Sequence, residues 1–539
     1  SNRILHIALA IAAVSLLLSL AFLNTCGDDS FIYFRLIENY LQTGRLEYNP
    51  SEPCYAMTST TYFFVFAESA RWLGLQGGRY AVSLLGHALA VAALAGLGRR
   101  LIRNRGVWAL ALAAILFDPF YLRWFWAGWE LSFKIGAAAL ALWMLLVAGS
   151  RAGTRHAFVA GLAMGFAALT RPEMFFLTGL GAAYLVVRKG ISRPAEWLSA
   201  LMAYAVGWLL LAGPWLLFAK SYFGWAIPHT VYAKASGTLF YWPYLRIFFP
   251  KFLKILLLPA FPFYLLVLVA ILSIRPWKAW AHCVSRGWSP DFRDFLVVAL
   301  WASMVGGYLA RGVYIDSIKV GLFSPFFVLV AGALLDAALR LRNREPSAKS
   351  VAAWVLVLLA LSIALQARLF YRFSSWRPQY AQGDDANLIA FAQRIRERTP
   401  PDARIGIFEL GVIGYFSGRY MIDYAGLATP QLVTYQLETG SKEAAVATYY
   451  ERHGGPASHI VQTFPGGGAP VPETRDFWGY PYRLIDSEPV RRISGAAGKD
   501  AYAIYALYAL AAPPASRSGV FGLRYGGGAR RVARLWKPR

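Results

Sequence analysis

The chain of 539 residues is 57% hydrophobic and 16% aromatic, with a mean hydropathy of +0.42. Apolar runs long enough to cross about 30 Å of hydrocarbon recur through its first two thirds, which excludes an ordinary water-soluble protein. The formal charge of +25 falls mainly in short loops between these runs and in the tail, a positive-inside pattern that argues against a nucleic-acid partner. Three cysteines are too few for a disulfide scaffold and match no zinc-site spacing.

The apolar segments predict a polytopic α-helical membrane protein with about eleven transmembrane helices. The predicted spans are 4–24, 80–98, 106–121, 131–149, 156–171, 174–188, 197–219, 249–273, 293–310, 319–340 and 350–368. Segment 60–75 is also apolar but carries Glu68 and Arg71. We interpret it as horizontal or re-entrant, because all the strongly basic loops then lie on the cytoplasmic face. The first segment lacks a convincing cleavage site and is expected to remain as a span.

Two domains are predicted. Residues 1–368 form the transmembrane domain, whose first outer loop covers 25–79, and residues 369–539 form an extracytoplasmic α/β domain with a basic tail. The second domain is expected to contain a helix near 385–397 and strands at 404–409, 459–464 and 501–508, separated by Gly- and Pro-rich turns. Cys26 and Cys54 flank the outer loop, either as a disulfide bridge or as two free thiols.

With this topology, polar side chains collect near span ends on the outer face. They are Asp28, Asp29, Glu52, Glu130, Arg171, Glu173, His229, Lys234, Arg311, Asp316 and Lys319. Ionisable residues at membrane depth cost several kcal/mol unless they are paired or solvated, so their convergence predicts a functional site. The alternative is a set of unrelated interfacial charges.

Five segments, in order along the chain, resemble motifs of the GT-C glycosyltransferases, polytopic enzymes that use polyprenyl-phosphate sugars as donors. The stretch that begins at Asp28, DDSFIYFRLIENYLQTGRLEYNPSE, resembles their first outer loop, most closely that of the AftB-type arabinofuranosyltransferases. The others are GWELSFK around Glu130, ALTRPE at 168–173, YFGWAIPHTVYAK at 222–234 and FELGVIGYFSGRYMIDYAGL at 408–427. The resemblance implies a GT-C fold, a bacterial inner-membrane location and an active site on the extracytoplasmic face.

The chain departs from the family pattern at several positions. The turn CYAMTST lacks an expected acid near Tyr55, whereas Glu52 remains. His229 replaces an expected Asn, and the acid that starts the fifth motif appears as Glu409. The stretch 311–319 differs but keeps Asp316. These changes bear on the donor sugar and the acceptor more than on the reaction class.

Transfer from a lipid-linked sugar phosphate needs an activated hydroxyl, a stabilised oxocarbenium-like sugar and a neutralised leaving phosphate. Asp28 is the first candidate for the general base, and Asp29 is expected to orient the site, bind a sugar hydroxyl or help hold a divalent cation. If transfer retains configuration, either aspartate is instead a nucleophile or stabilises an ion pair. Asp29 and Glu130 are the candidate ligands for Mg²⁺ or Mn²⁺, although acids alone do not identify a metal site.

The remaining candidates are assigned to the donor phosphate and sugar. They are Lys234, Arg171, Arg311, Lys319, His229, Glu130, Glu173 and Glu52. Basic side chains among them oppose the developing negative charge on the phosphate. Structural alternatives stand beside these roles: Arg35 pairs with Glu38, Arg171 pairs with Glu173, and Lys319 snorkels from its span.

The function expected from these features is transfer of a sugar, D-arabinofuranose, from a polyprenyl phosphate to an extracytoplasmic glycan or protein. One alternative is transfer of another pentose, an aminopentose or a hexose to lipid A, pilin or polysaccharide. A second is a flippase or transporter of a lipid-linked sugar, in which the same charges line a pathway. Membrane lipids are expected partners in each case, and anionic head groups are expected to attract the basic tail.

Overall fold

A computed structural model describes residues 2–23, 26–151, 153–233, 261–272, 295–296, 317–341, 347–374, 386–465, 470–492 and 501–511. The first part of this chain is helical. Its helices are α1 (Asn2–Ser19), α2 (Asp28–Thr43), α3 (Thr60–Leu101), α4 (Arg105–Leu116), α5 (Pro119–Trp124), α6 (Leu131–Ser150), α7 (Thr154–Thr170), α8 (Glu173–Lys189), α9 (Pro194–Phe223), α10 (Thr230–Ala233), α11 (Phe261–Leu272), α12 (Ser317–Leu341) and α13 (Ala348–Ser374).

Five helical segments among the described residues are long and apolar enough to cross a membrane. They are Ile4–Phe22, Thr60–Leu101, Leu131–Ser150, Pro194–Phe223 and Leu322–Arg340. Shorter apolar helices occur at Arg105–Leu116 and Lys349–Leu365. The polytopic helical class therefore stands, whereas the predicted number of eleven spans remains a prediction. Most of the predicted spans 249–273 and 293–310 lies outside the described residues.

Helix α3 is two arms joined by a sharp bend. Gly74 has φ 70° and ψ 168°, a conformation that is essentially restricted to glycine because a Cβ would be strained there. A methyl group on Gly78 would lie 2.6 Å from the backbone nitrogen of Ala70, so the residues on either side of the bend are in contact. Most of segment 60–75 therefore forms the first arm of α3, before the bend. Trp72, near the end of this arm, is 82% exposed.

Small residues let the membrane helices approach closely. A methyl group on Gly136 of α6 would lie 2.7 Å from the backbone nitrogen of Ala90 in α3. Between α7 and α9, Gly161 faces the carbonyl of Tyr204, and Gly207 faces the carbonyl of Phe158. Close backbone approach at glycines is the usual basis of helix association in lipid, where burial of apolar side chains supplies little driving force.

The C-terminal part is an α/β unit built on a six-stranded mixed sheet in the order β2-β1-β3-β6-β5-β4. Strands β1 and β2 are parallel, as are β1 and β3, and the remaining pairs are antiparallel. The strands are β1 (Arg404–Ile407), β2 (Tyr420–Asp423), β3 (His459–Pro465), β4 (Thr474–Phe477), β5 (Tyr480–Arg492) and β6 (Ala501–Leu510). Its helices are α14 (Ala386–Arg398), α15 (Gly411–Ser417), α16 (Pro430–Thr439) and α17 (Lys442–Arg452).

The helix predicted at 385–397 and the strands predicted at 404–409, 459–464 and 501–508 are present, as α14, β1, β3 and β6. The strands β2, β4 and β5 were not predicted. The basic tail lies outside the described residues.

The first outer loop packs into the C-terminal unit. One buried core contains Phe31, Phe34 and Phe66 from the loop region together with Ile405 and Val412 from the C-terminal unit. Asn49 covers the free edge of β2, because its side chain donates to the Met421 carbonyl at 2.8 Å and accepts from the Met421 N–H at 2.9 Å. The two predicted domains are therefore joined by a common core at this loop.

Candidate active site

The aspartate pair opens helix α2. Asp28 and Asp29 occupy its first turn, where carboxylates interact favourably with the unpaired backbone N–H groups of a helix start. Asp28 is partly buried and Asp29 is exposed. The helix ends at Gly44, whose left-handed backbone closes the last turn through a bond to the Tyr40 carbonyl.

Asp28 contacts the C-terminal unit. Its Oδ1 accepts a hydrogen bond of 2.8 Å from the backbone N–H of Val412, the second residue of α15. The two residues are 384 positions apart in the chain. The carboxylate predicted to act as the base is therefore held by an amide of the other predicted domain.

Arg35 anchors the opposite end of α15. Its guanidinium donates to the carbonyls of Tyr48 at 3.0 Å, Gly414 at 2.6 Å and Arg419 at 2.9 Å, and it lies over the Tyr48 ring. The sequence offered a pair of Arg35 with Glu38 as one alternative, whereas in the structure the Arg35 guanidinium donates to these three backbone carbonyls. Glu38 instead accepts a hydrogen bond of 2.8 Å from the Tyr415 hydroxyl.

The turn before α6 packs on the start of α2. The N–H of Gly27 donates to the Ala127 carbonyl at 3.2 Å, and the Ser30 hydroxyl donates to the same carbonyl. A methyl group on Gly27 would lie 2.6 Å from Nε1 of Trp129, so glycine is needed for this close approach. The turn that leads to Glu130, which directly precedes α6, is therefore in contact with the start of α2.

Arg171 connects two buried carboxylates. Its Nη1 lies 2.8 Å from Oε1 of Glu130, while Nε and Nη2 donate to the two carboxylate oxygens of Glu173 at 3.1 and 2.7 Å. Nη1 also lies 3.4 Å from the Thr58 hydroxyl. The sequence left two roles open for Arg171, binding the donor phosphate or pairing with Glu173, and the ion pair with Glu173 is present. We call Glu130, Lys134, Arg171 and Glu173 the buried ion cluster.

The cluster keeps Glu130 ionised. Burial acts to raise the pKa of Glu130, but the positive charges of Lys134 and Arg171 outweigh burial, and the pKa is lowered. Lys134 is 2% exposed and was not singled out from the sequence. Its position one helical turn after Glu130 was the available signal, because residues four apart lie on one face of a helix.

A narrow cleft borders the buried ion cluster, next to Thr58, which contacts Arg171. Thr58, Thr60 and Tyr55 supply hydroxyl groups to it, and Phe175 and Leu216 supply apolar surface. Pro172, between the two cluster residues Arg171 and Glu173, also lines it. The cleft therefore joins polar groups near the charges to an apolar wall formed by α8 and α9.

Glu52, in the first outer loop, contacts the C-terminal unit and not the buried ion cluster. It accepts a hydrogen bond from the Tyr420 hydroxyl, which is also 3.2 Å from the Tyr449 hydroxyl. Burial raises the pKa of Tyr420, and the bond to Glu52 raises it further. Within the described structure this arrangement holds β2 against the first outer loop.

His229, in the segment between α9 and α10, also contacts the C-terminal unit. It is fully buried, and its Nε2 lies 2.8 Å from the Leu427 carbonyl. Burial lowers the pKa of His229 to about 4, although the backbone groups of Leu427 and Gly426 act in the opposite direction. Cys54 donates from its thiol to the same Leu427 carbonyl at 3.3 Å.

Asp423, which was quoted in a motif but given no role, organises the turn that holds His229. Its buried carboxylate accepts from the N–H groups of Ala425, Leu427 and Ala428 at 2.9, 2.5 and 2.9 Å. Burial raises the pKa of Asp423 despite these bonds. The ID-x-x-GL pattern of the fifth motif was the signal for this role.

Several candidates fall outside these contacts. Lys234, Arg311 and Asp316 lie outside the described residues, and only the backbone of Lys319, in α12, is described. Among the described residues, no group of three His, Cys, Asp or Glu side chains is placed to hold a metal ion. Cys26 and Cys54 are buried and are not joined by a disulfide bond.

Residues 375–505 match the family described as Domain of unknown function (DUF8728). No curated protein matches the chain by sequence.

Solved structures resemble most of the chain. The crystal structure of ArnT from Cupriavidus metallidurans in the apo state matches with a TM-score of 0.51 and 16% identity, over 84% of this chain and 92% of ArnT. The same protein bound to undecaprenyl phosphate matches with a TM-score of 0.49 and 16% identity, over the same shares. The cryo-EM structure of the arabinosyltransferase EmbB from Mycobacterium smegmatis matches with a TM-score of 0.42 and 12% identity, over 83% of this chain and 41% of EmbB.

The likeness to apo ArnT shows that the chain shares its overall fold, in agreement with the GT-C architecture implied by the sequence motifs. At 16% identity it shows the fold alone. The closer likeness to AftB-type enzymes remains a prediction.

Proposed function

We propose that this protein is a membrane glycosyltransferase that moves one sugar, D-arabinofuranose, from a polyprenyl phosphate to an extracytoplasmic glycan or protein. The observation that carries the proposal is the packing of Gly27 and Ser30, which flank the aspartate pair of α2, against the turn that bears Glu130, itself paired with Arg171. Charged groups from three separate parts of the chain, at the start of α2, before α6 and after α7, thus lie at helix ends, where a lipid-linked sugar phosphate would present its reacting bond.

In this proposal Asp28 is the general base for the acceptor hydroxyl. A positioned carboxylate contributes about 10²–10⁴-fold to such a step. Asp29, which is exposed, binds a sugar hydroxyl or orients the acceptor. If the product retains the donor configuration, one of the two carboxylates acts on the sugar itself, as nucleophile or as ion-pair partner.

Arg171 has a structural role in this proposal and does not bind the phosphate. Its guanidinium already faces two carboxylates and is only 12% exposed, so binding a phosphate would require it to give up part of this pairing. We assign it to holding Glu130 and Glu173 in place. The phosphate is assigned to Lys234, Arg311 and Lys319, of which Lys234 directly follows α10.

The polar head of the donor is assigned to the hydroxyl groups of Thr58, Thr60 and Tyr55, and the first isoprene units to the apolar surface of Phe175 and Leu216. The cleft between them has room for about one water molecule, so it must open to admit the donor. The sugar is assigned from the resemblance of the first outer loop to AftB-type enzymes, and the fold shared with ArnT supports the reaction class.

The test is sugar transfer by the full-length protein, purified and returned to lipid. It is offered a panel of synthetic polyprenyl-phosphate sugars (arabinofuranose, another pentose, an aminopentose and a hexose) with a crude envelope acceptor, in EDTA or with Mg²⁺ or Mn²⁺. We expect arabinofuranose transfer, and the anomer of the product decides between inversion and retention. The metal series decides whether a divalent cation takes part.

Asp28→Asn is the informative variant, because an Asn carbonyl oxygen can still accept the Val412 N–H and so preserve the contact with α15. We expect it to lower transfer at least about 100-fold. Glu68→Gln, which changes an exposed carboxylate of α3, is the matched control and should transfer normally. Unchanged turnover in Asp28→Asn would remove the base assignment. Donor binding without transfer of any sugar would instead favour a flippase or transporter.

A further inference from the structure

We propose that helix α15 of the C-terminal unit sets the position of the Asp28 carboxylate, which makes Gly411 and Arg35 positioning residues for sugar transfer. This inference rests on the function proposed above. It assigns to the C-terminal unit a part in the reaction itself, in addition to any part in binding the acceptor.

The N-terminal end of α15 contacts Asp28. The first N–H groups of a helix have no partner within the helix. The N–H of Val412, the second residue of α15, is one of these, and it donates to Oδ1 of Asp28 at 2.8 Å. The carboxylate satisfies the amide, and the amide in turn fixes one oxygen of the carboxylate.

Gly411, the first residue of α15, lies directly against Asp28. A methyl group at this position would lie 2.5 Å from both Cγ and Oδ1 of Asp28, and closer still to the Asp28 carbonyl oxygen. These distances are too short for any real contact. The absence of a side chain at Gly411 is therefore what allows α15 to approach Asp28 closely enough for the hydrogen bond.

Arg35 of α2 contacts the C-terminal end of α15. Arg35 lies seven residues after Asp28 in α2, which is about two helical turns and places both side chains on one face. Arg35 donates to the carbonyls of Gly414 and Arg419. Helix α2 thus holds α15 at both ends, with an acid on a free amide and a base on free carbonyls.

Helix α14 and Tyr48 pack on other sides of α15. Helix α14 packs on α15 and on the sheet, where Arg394 pairs with Asp486 at 2.9 Å and with Glu488 at 2.7 Å. On the loop side, the Tyr48 ring is fully buried and its hydroxyl contacts α15 at Gly414. Helix α15 is enclosed between α2 and α14, so it has little freedom to move away from Asp28.

The consequence is a specific kinetic defect. A displacement of about 1 Å of a reacting group can lower the rate about 100-fold, even when the binding of the substrate is intact. A variant that shifts Asp28 should therefore lower kcat and leave the KM for the donor nearly unchanged. A variant that merely loosened the fold would lower the amount of active protein and its thermal stability instead.

The experiment compares Gly411→Ala with Gly179→Ala in the full-length protein in lipid. Gly179 is a helical glycine of α8 with nothing within 4 Å of the added methyl, so it controls for a glycine-to-alanine change in a helix. Thermal unfolding and donor binding are measured on each. We expect Gly411→Ala to bind the donor within about 3-fold of the parent and to lower kcat about 100-fold, and Gly179→Ala to change neither.

Val412→Pro is the second variant, needed in case Gly411→Ala does not fold. Proline has no N–H, and its Cδ takes the place of the amide hydrogen that faces Oδ1 of Asp28 at 2.8 Å, so it removes the donor and displaces the carboxylate. The change lies in the first turn, where no bond within the helix is lost. The same loss of kcat with donor KM retained is expected. Normal kcat in either folded variant would overturn the inference, and so would a rise in donor KM with kcat unchanged.

The outcomes separate this inference from the proposed function. If Asp28→Asn transfers sugar normally, the base assignment fails and the positioning role fails with it. If Asp28→Asn is inactive but both α15 variants are fully active, the proposed function stands and only the role of α15 is wrong.

Discussion

Nη1 of Arg171 lies 2.8 Å from Oε1 of Glu130, and both side chains are almost completely buried, at 12% and 10% exposure. The two residues come from different helix ends, and no local feature of the sequence pairs them. Their contact is what joins the motif around Glu130 to the motif at 168–173.

Arg171→Gln should therefore destabilise the protein strongly. Removing Arg171 takes a buried counter-charge from both Glu130 and Glu173, and the loss of one partner costs about 3–5 kcal/mol in buried pairs. Thermal unfolding in detergent measures the effect. Arg71→Gln breaks the exposed pair with Glu68, whose side chains are 51% and 54% exposed, and should cost less than about 1 kcal/mol. Equal losses in the two variants would contradict the importance of burial.

The double variant Glu130→Gln with Arg171→Gln sharpens this prediction. If the cost of Arg171→Gln comes from an unpaired carboxylate, neutralising Glu130 should restore part of the lost stability. Additive losses would show that the two residues act independently.

Acid should weaken the contact that His229, in the segment between α9 and α10, makes with the C-terminal unit. Burial lowers the pKa of His229 to about 4 in the folded protein, whereas an unfolded histidine titrates near 6.5. The unfolded state therefore binds more protons, and stability is complete above about pH 6.5 and falls as the pH drops towards 4. At pH 5 the loss is about 2 kcal/mol.

His229→Asn tests this directly, because asparagine does not titrate in this range. The unfolding temperature of the parent should fall between pH 7 and pH 5 more steeply than that of the variant. Parallel pH profiles for the two proteins would assign the acid sensitivity to other groups.

Asn49→Asp should destabilise the docking of the loop on β2. The change removes the N–H donor to the Met421 carbonyl and sets a carboxylate oxygen against it, at a site where Asn49 is fully buried. The loss of a buried hydrogen-bond partner costs about 1–3 kcal/mol, and more when a charge is left there. Limited proteolysis of the loop and thermal unfolding report the effect. Gln42→Glu introduces the same charge at an exposed position and should behave like the parent.

Gly74→Ala should disturb the bend of α3 without any steric clash. No atom lies within 4 Å of the added methyl, but the backbone angles at this position are strained for every residue with a Cβ. The expected cost is about 1–3 kcal/mol, seen as a lower unfolding temperature. Gly213→Ala, in an open position of α9, is the control and should have little effect. A stable Gly74→Ala variant would show that the bend can relax.

The sequence by itself determined the local features of this protein. Apolar runs marked the long helices, because every backbone polar group must be paired within a segment that crosses lipid, and an α-helix does this without partners. Strands β1, β3 and β6 were readable because each is an apolar segment bounded by turn residues. Strand β5 was missed because its charged residues and prolines, in YPYRLIDSEPVRR, resemble an exposed loop.

Only the tertiary structure decided which of these elements share a site. The bond between Asp28 and Val412 joins residues 384 positions apart, and Asn49 reaches Met421 across 372. Such contacts depend on which apolar faces are buried together, here those of the first outer loop and the C-terminal sheet. Periodicity along the chain reports that a face is apolar, but it does not report the face against which it packs.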